Sequence, residues 1–491
     1  MKKLCAWSFA IVLASGVSAG APAGDHASAT GAATRAASAF SLGGFLGQFG
    51  HAAATPTVHP FCSDHPKNFI CGGQDERARR VQDDLKIESF KEWIQDGVED
   101  AVVEHYHLQH PDQIYDNIFP RRQGAGRELA GNHRPTTAPG WPTPPRWATV
   151  PARSTGPARR AGAGASLGSE GGGGINFSPP YRDYLLGVYG TIFNKLDISR
   201  SDFQRIKTTM LERLRKTDDI VDHDGQPDTL TISRMVGRVA RTEFVTDIDG
   251  LSKALRSPEE FMTSFADACG LDGMSFNAFY FPPAEVVIPC PGFLASAVKP
   301  ETVDRLIHEP DPQPNSSGDA SEPPPRAPVN IGLLSFILGH ELGHSIDSEL
   351  FARSYRPFVD CLYQYYPKLP NGTTIGDIGL VKAYQAEMIA DNYGSYTFAA
   401  LLDNPAFVAA GGGDKFAILK GALRRFCDMP AESNTGGHPG GDYRMDSIVA
   451  QNPALRAALG PDCPPRPACT FKGYQRPAGP PAPAAHPIAA R

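Results

Sequence analysis

An α+β fold, mainly helical, is predicted by three observations on the sequence. Apolar residues recur at three- and four-residue spacing in three stretches, 75–107, 181–196 and 201–217, the period of a helix that buries one face. Two long apolar runs, 329–347 and 379–403, contain no proline and extend the helical count. Strand-like composition, aromatic and β-branched residues around a Pro-Pro turn, is confined to "SFNAFYFPPAEVVIPCPGFL" at 275–294, which predicts two short strands with at least one at a sheet edge.

The chain has 491 residues, 41% of them hydrophobic, enough for a sizeable core and more than one domain. Its formal net charge of -6 is spread over interspersed signs. Without a basic stripe, a nucleic-acid partner is not expected. The opening "MKKLCAWSFAIVLASGVSAG" has two lysines, an apolar run and small residues before Gly20, the pattern of a cleaved signal peptide at 1–19. No later stretch approaches the roughly twenty apolar residues of a membrane span. Cys5 lies inside the apolar run and lacks the small-residue context of a lipid anchor. Signal removal leaves eight cysteines, Cys62, Cys71, Cys269, Cys290, Cys361, Cys427, Cys463 and Cys469. An even number in an exported chain favours disulfides, although eight cysteines allow on the order of a hundred pairings.

Taken in order, 20–59 is an Ala, Gly, Ser and Thr-rich leader, and 60–265 is a helical region interrupted by a Pro and Gly-rich insert at about 121–174. Within it, 75–107 reads as one or two amphipathic helices. Ser201 offers a cap for the helix at 201–217, and Asp202 suits its positive end. "DHDGQPD" at 222–228 superficially resembles a calcium loop, but Thr231 stands where the twelfth-position glutamate belongs, so a polar turn is the better reading. Residues 266–470 form the region that carries the chemistry, and a Pro and Ala-rich tail follows at 471–491.

"ILGHELGHSID" at 337–347 places His340 and His344 four residues apart with Glu341 directly after the first. On a helix both imidazoles share one face and can reach one ion at about 2.0–2.1 Å. Glu341 lies about 100° round the helix, beside the ion without binding it, where a general base belongs. A solvated helix face is the plain alternative, but the preceding turns, Leu333, Leu334, Phe336, Ile337 and Leu338, imply burial, which is costly for two imidazoles and a carboxylate without partners. A catalytic zinc takes a third protein ligand. "AEMIAD" in the next helix offers Glu387 and Asp391, like charges whose spacing is mildly unfavourable unless a cation and its imidazoles lie between them. Glu387 then suits the third ligand, and Asp391 suits the acceptor of a histidine N–H. By themselves the two acids could equally form an exposed acidic face.

The ordered set "NAFYFPPAEVVIPCPGFL", "VNIGLLSFILGHELGHSID", "AEMIADNYG" and "HPGGDYRM" resembles the neprilysin and endothelin-converting enzyme family of zinc metallopeptidases over about residues 270 to 465. "PFCSDHPKNFICGG" at 60–73 is similar to the cysteine-bearing start of that family's ectodomain. The resemblance implies a thermolysin-like zincin catalytic domain facing a smaller helical lid, with one Zn2+ per chain. It implies His340, His344 and Glu387 as metal ligands, Glu341 as base, Asp391 orienting His340 and Asp347 supporting His344. It further implies Asn277 and the backbone of Ala278 binding substrate main chain, His438 donating to the developing oxyanion and Arg444 holding a substrate carbonyl. By the same analogy Cys62 pairs with Cys463, Cys71 with Cys427, Cys361 with Cys469 and Cys269 with Cys290. The expected activity is exported endopeptidase action on peptides, with secretion or periplasmic retention both open. The alternatives are a catalytically inactive zinc or peptide-binding protein on the same scaffold and an unrelated thermolysin-type peptidase. Four features depart from the family pattern: Gly343 in place of the usual threonine, Pro289-Cys290-Pro291-Gly292 in place of Pro-Ala-Gly, a tail after Cys469 without a Trp, and a segment before Cys269 much shorter than the family's helical lid.

Overall fold

The helical spacing seen in the sequence becomes real helices in the computed structural model, which describes residues 58–63, 66–116, 178–245, 258–308, 326–366, 368, 381–429 and 438–476. The expected signal peptide, most of the leader, the insert and most of the tail lie outside these residues. The longer elements run α1 (Gln74–Tyr106), α2 (Pro179–Lys195), α3 (Arg200–Arg215), α4 (Thr229–Arg241), β1 (Glu243–Phe244), α5 (Pro258–Cys269), β2 (Ala278–Phe281), β3 (Val286–Pro289), α6 (Ile331–Gly343), α7 (Ser348–Tyr365), α8 (Val381–Leu402), α9 (Lys415–Leu423), α10 (Pro453–Leu459), β4 (Ala468–Thr470) and β5 (Gly473–Gln475). The fold is α+β and mainly helical, as expected. No helix among the described residues is long and apolar enough to cross a membrane.

The stretch at 75–107 is one helix, not two. Acidic Asp75 and Glu76 occupy the first turn of α1, where they suit the helix dipole. Ile87, Phe90, Ile94, Val98 and Val102 are buried along one stripe, each contributing about 1.5–3 kcal/mol by leaving water. The stripe packs on α2, whose Tyr181, Tyr184, Leu185, Val188 and Ile192 are its buried face. Ser199, not Ser201, caps α3: the helix begins at Arg200, and Asp202 accepts the Ser199 backbone N–H at 2.9 Å and its hydroxyl at 2.7 Å. In the polar turn before α4, Asp222 accepts the backbone N–H groups of Asp224 and Gln226, and Asp228 caps α4 through the Thr231 N–H at 2.9 Å.

The predicted hairpin forms: β2 and β3 are antiparallel, with Ala278 opposite Pro289 and Phe279 opposite Ile288. A parallel partner that the sequence did not announce, β1, pairs with β3, so the order is β1-β3-β2 and, among the described residues, β2 has a free edge. Elements from both sides of residue 265 share one core. Helices α3 and α8 pack together, α6 packs on α3, α8 and α9, and the β4–β5 hairpin packs on α7.

All four expected cysteine pairs are present as disulfides, Cys62–Cys463, Cys71–Cys427, Cys269–Cys290 and Cys361–Cys469. Four disulfides are compatible with an extracellular protein.

Candidate metal centre

Helices α6 and α8 cross closely enough to bring residues 340 and 391 into contact, and glycines at the crossing permit it. A Cβ on Gly343 would lie 3.0 Å from the Ala390 Cα, and one on Gly394 would lie 3.3 Å from the His340 backbone nitrogen. The departure at Gly343 therefore has a steric reason: this chain's helices meet backbone to backbone at the motif. Asn330 starts α6 by accepting the Leu333 N–H at 3.0 Å. At the other end the helix tightens into a 3-10 turn over His344–Ile346, and Asp347 caps the next helix by accepting the Glu349 N–H at 2.9 Å. A hydroxyl fixes the turn from behind, since Tyr355 donates to the Ile346 carbonyl at 2.6 Å while its oxygen lies 3.1 Å from the Tyr393 hydroxyl.

Three side chains converge in this crossing. His340 Nε2 and His344 Nε2 are 3.2 Å apart. Glu387 places Oε2 3.2 Å from His340 Nε2 and Oε1 3.5 Å from His344 Nε2. Ligands about 2.0–2.1 Å from a tetrahedral ion stand about 3.3–3.4 Å from one another, so the observed separations fit a shared cation. Glu387 Oε2 is buried and has no hydrogen bond of good geometry, although His438 Nε2 is 3.0 Å away. A buried carboxylate oxygen aimed between imidazoles in this way is suited to metal. Either His340, Glu341 and His344 or His340, Glu387 and His438 could hold a metal ion. The second group adds a possible ligand role for His438 that the sequence reading did not consider.

A second layer holds the imidazoles. Asp391, fully buried, lies 2.8 Å from His340 Nδ1, which leaves Nε2 its lone pair for a cation. Asp347 Oδ2 is 3.6 Å from His344 Nδ1, a looser support. Arg444 belongs to this second layer. It is 3% exposed, and its Nε and Nη2 donate to the two Asp391 oxygens at 2.7 and 2.6 Å. Bidentate pairing of this kind is among the stronger polar contacts, and it makes Arg444 a brace for the partner of His340.

The electrostatics follow from burial and pairing. Burial disfavours the charged form of His340, but Asp391 and Glu387 outweigh it and raise its pKa to about 10. Burial pushes the Glu341 carboxyl up, with His340 and His344 opposing. Burial would also raise Glu387, yet His438, His344 and His340 hold it well below the ordinary carboxylate range. Asp391 is likewise lowered, burial being outweighed by Arg444 and His340. Neighbouring carboxyls thus differ, with Glu387 and Asp391 held as anions and Glu341 biased toward accepting a proton.

The predicted main-chain binders sit on the free edge of the sheet. Asn277 O accepts the Cys290 N–H at 3.0 Å, so by ladder alternation the polar groups of Ala278 point outward. The Ala278 N–H is bonded to the side chain of its neighbour, Asn277 Oδ1, at 3.0 Å. Helix α6 packs against β2.

No family model, no curated protein and no solved structure matches this chain.

Proposed function

We propose that the chain is an exported zinc-dependent endopeptidase of the neprilysin and endothelin-converting enzyme kind, with a thermolysin-like catalytic region. The observation that carries this reading is the convergence of the His340 and His344 Nε2 atoms, 3.2 Å apart, with the Glu387 carboxylate, whose two oxygens lie 3.2 Å from one and 3.5 Å from the other, with Glu341 beside them and a strand edge nearby. Two imidazoles and one carboxylate are a donor set of catalytic zinc, with room for a further ligand.

Bound zinc would supply a Lewis acid that polarises a carbonyl and acidifies a water. The chain's own groups do the rest. Glu341, with its carboxyl pushed up by burial, accepts the proton of the attacking water and passes it to the leaving amine. His438, whose side chain is 39% exposed, donates to the carbonyl oxygen as that oxygen gains charge, a contribution of about 3 kcal/mol for a well-placed donor. The outward groups of Ala278 and the Asn277 amide bind the substrate backbone as an added strand. Asp391, braced by Arg444, acts through His340.

The rival from another class is a zinc-loaded protein that binds peptides without cleaving them. Zinc content and cleavage of a quenched-fluorescence peptide library by wild type and Glu341→Gln separate the two. One zinc in both proteins with cleavage only by wild type supports the peptidase. Zinc in both with cleavage by neither favours the binder, and folded protein without zinc removes the site assignment.

A further inference from the structure

Three of the converging side chains come from two crossing helices, and a fourth reaches the same carboxylate from a loop. His438 Nε2 lies 3.0 Å from Glu387 Oε2, and His340 Nε2 lies 3.2 Å from that same oxygen. Ligand atoms of His340, Glu387 and His438 all fall within 4.8 Å of one another. With the 3.2 Å between the two motif imidazoles, four donor groups gather about the Glu387 carboxylate, at separations close to the roughly 3.3–3.4 Å expected between neighbours on a tetrahedral ion. The contact between His438 and Glu387 is not a well-aligned hydrogen bond, since Glu387 Oε2 lacks one of good geometry. Atoms that share an ion, rather than a proton, stand in this way.

The four groups are not held alike. His340 is 2% exposed, and Asp391 and Asp347 stand behind the two motif imidazoles. The His438 side chain is 39% exposed and is followed by Pro439 and Gly440. Its loop is anchored three residues on, where Gly441 is pressed so closely on the Phe426 carbonyl that a Cβ would lie 2.0 Å from it. That anchor presents the ring to the site without burying it. Four protein ligands are the pattern of a closed, structural zinc, and three with an open place that of a catalytic one. Here the fourth donor is the one placed to leave.

We propose that His438 is a detachable fourth metal ligand, bound through Nε2 in the substrate-free protein and displaced when a peptide enters. The proposal rests on the zinc peptidase reading and adds a resting state to it. While the ring ligates, its Nε2 lone pair is engaged and the place that the reaction needs is closed to small ligands. Once displaced, the ring exchanges its proton with the solvent it already meets, and Nε2–H becomes available to the carbonyl oxygen. One side chain thus guards the site and later serves it.

X-ray absorption at the zinc edge of the full mature chain, which counts imidazole ligands, tests the proposal together with zinc affinity measured by chelator competition, both without substrate. Wild type is expected to show three imidazoles and His438→Ala two. The variant should bind zinc more weakly by at least the roughly tenfold seen when a residue supporting a ligand is removed, and added imidazole should restore its third ring. Two imidazoles in wild type, or unchanged affinity in His438→Ala, would overturn the ligand role of His438 and leave the peptidase reading standing. Folded wild type that takes up no zinc would overturn both. The wild-type count decides the question even if the variant folds poorly.

Discussion

Two places among the described residues bring histidine and carboxylate side chains close together, and they are physically unlike. Asp222, His223 and Asp224 bring ligand atoms together on a turn, where Asp224 and His223 are exposed and Asp222 is occupied by backbone N–H groups. His340, His344 and Glu387 lie on two crossing helices with a second layer behind them. In the first group the acids already have water and the turn as partners, so a cation adds little. In the second, desolvation leaves anions and imidazoles facing one another with a gap of ligand size. Proximity of ligand types is common; what distinguishes a site is burial together with groups that fix each ligand's direction.

The largest expected effect that could break this contrast is loss of the base. Glu341→Gln should lower kcat by about 10²–10⁴-fold with zinc content unchanged, read by single-turnover cleavage and metal analysis. Next comes the brace. Asp391→Asn should weaken zinc binding by about 10–100-fold, measured by competition with a chelator; the same test on Asp222→Asn should show no change, and equal losses would erase the distinction between the two groups. The crossing itself is tested by Gly394→Ala. Its added methyl must displace the His340 backbone, at an expected cost of about 1–3 kcal/mol in urea unfolding, and a neutral result would show that the helices can part without consequence.

The smallest effect concerns acid. A hydrogen bond from Lys420 holds the Glu76 carboxyl below its ordinary range, assisted by Arg79 and Arg80 and opposed by burial. Folding therefore favours the ionised form. The gain is fully present above the unfolded-state value of about 4.5 and disappears as pH falls through the lower folded-state value. For so exposed a pair it is worth under about 1 kcal/mol. The melting temperature of Glu76→Gln should lie slightly below wild type at neutral pH and converge with it in acid.

These contrasts also mark what the sequence could disclose. His340, Glu341 and His344 were legible because helical spacing alone puts them together. Glu387 and Asp391 were legible as a like-charged pair needing a cation. The Arg444–Asp391 bond spans 53 residues and has no local pattern, so the role of Arg444 emerges only from packing. The two-residue strand β1 is too short for any periodicity, and Ser199 and Ser201 flank the same helix start, so only the position of Asp202 relative to the first turn distinguishes them. The helical stripe of α1 was readable throughout, because a long amphipathic pattern repeats the same signal many times.

The bond between Cys62 and Cys463 joins positions separated by 401 residues, and the His59 N–H reaches the Asp462 carbonyl at 2.9 Å beside it. During synthesis the first of these cysteines emerges long before its partner exists. A chain that leaves the ribosome or crosses a membrane from its N-terminus must therefore hold Cys62 in reserve while the whole region with the candidate metal ligands is made. Cys71 waits likewise for Cys427, 356 residues on. Completion of the molecule is thus scheduled by its last segment, and a truncated product lacking Cys463 would be left with an unpaired thiol at its front.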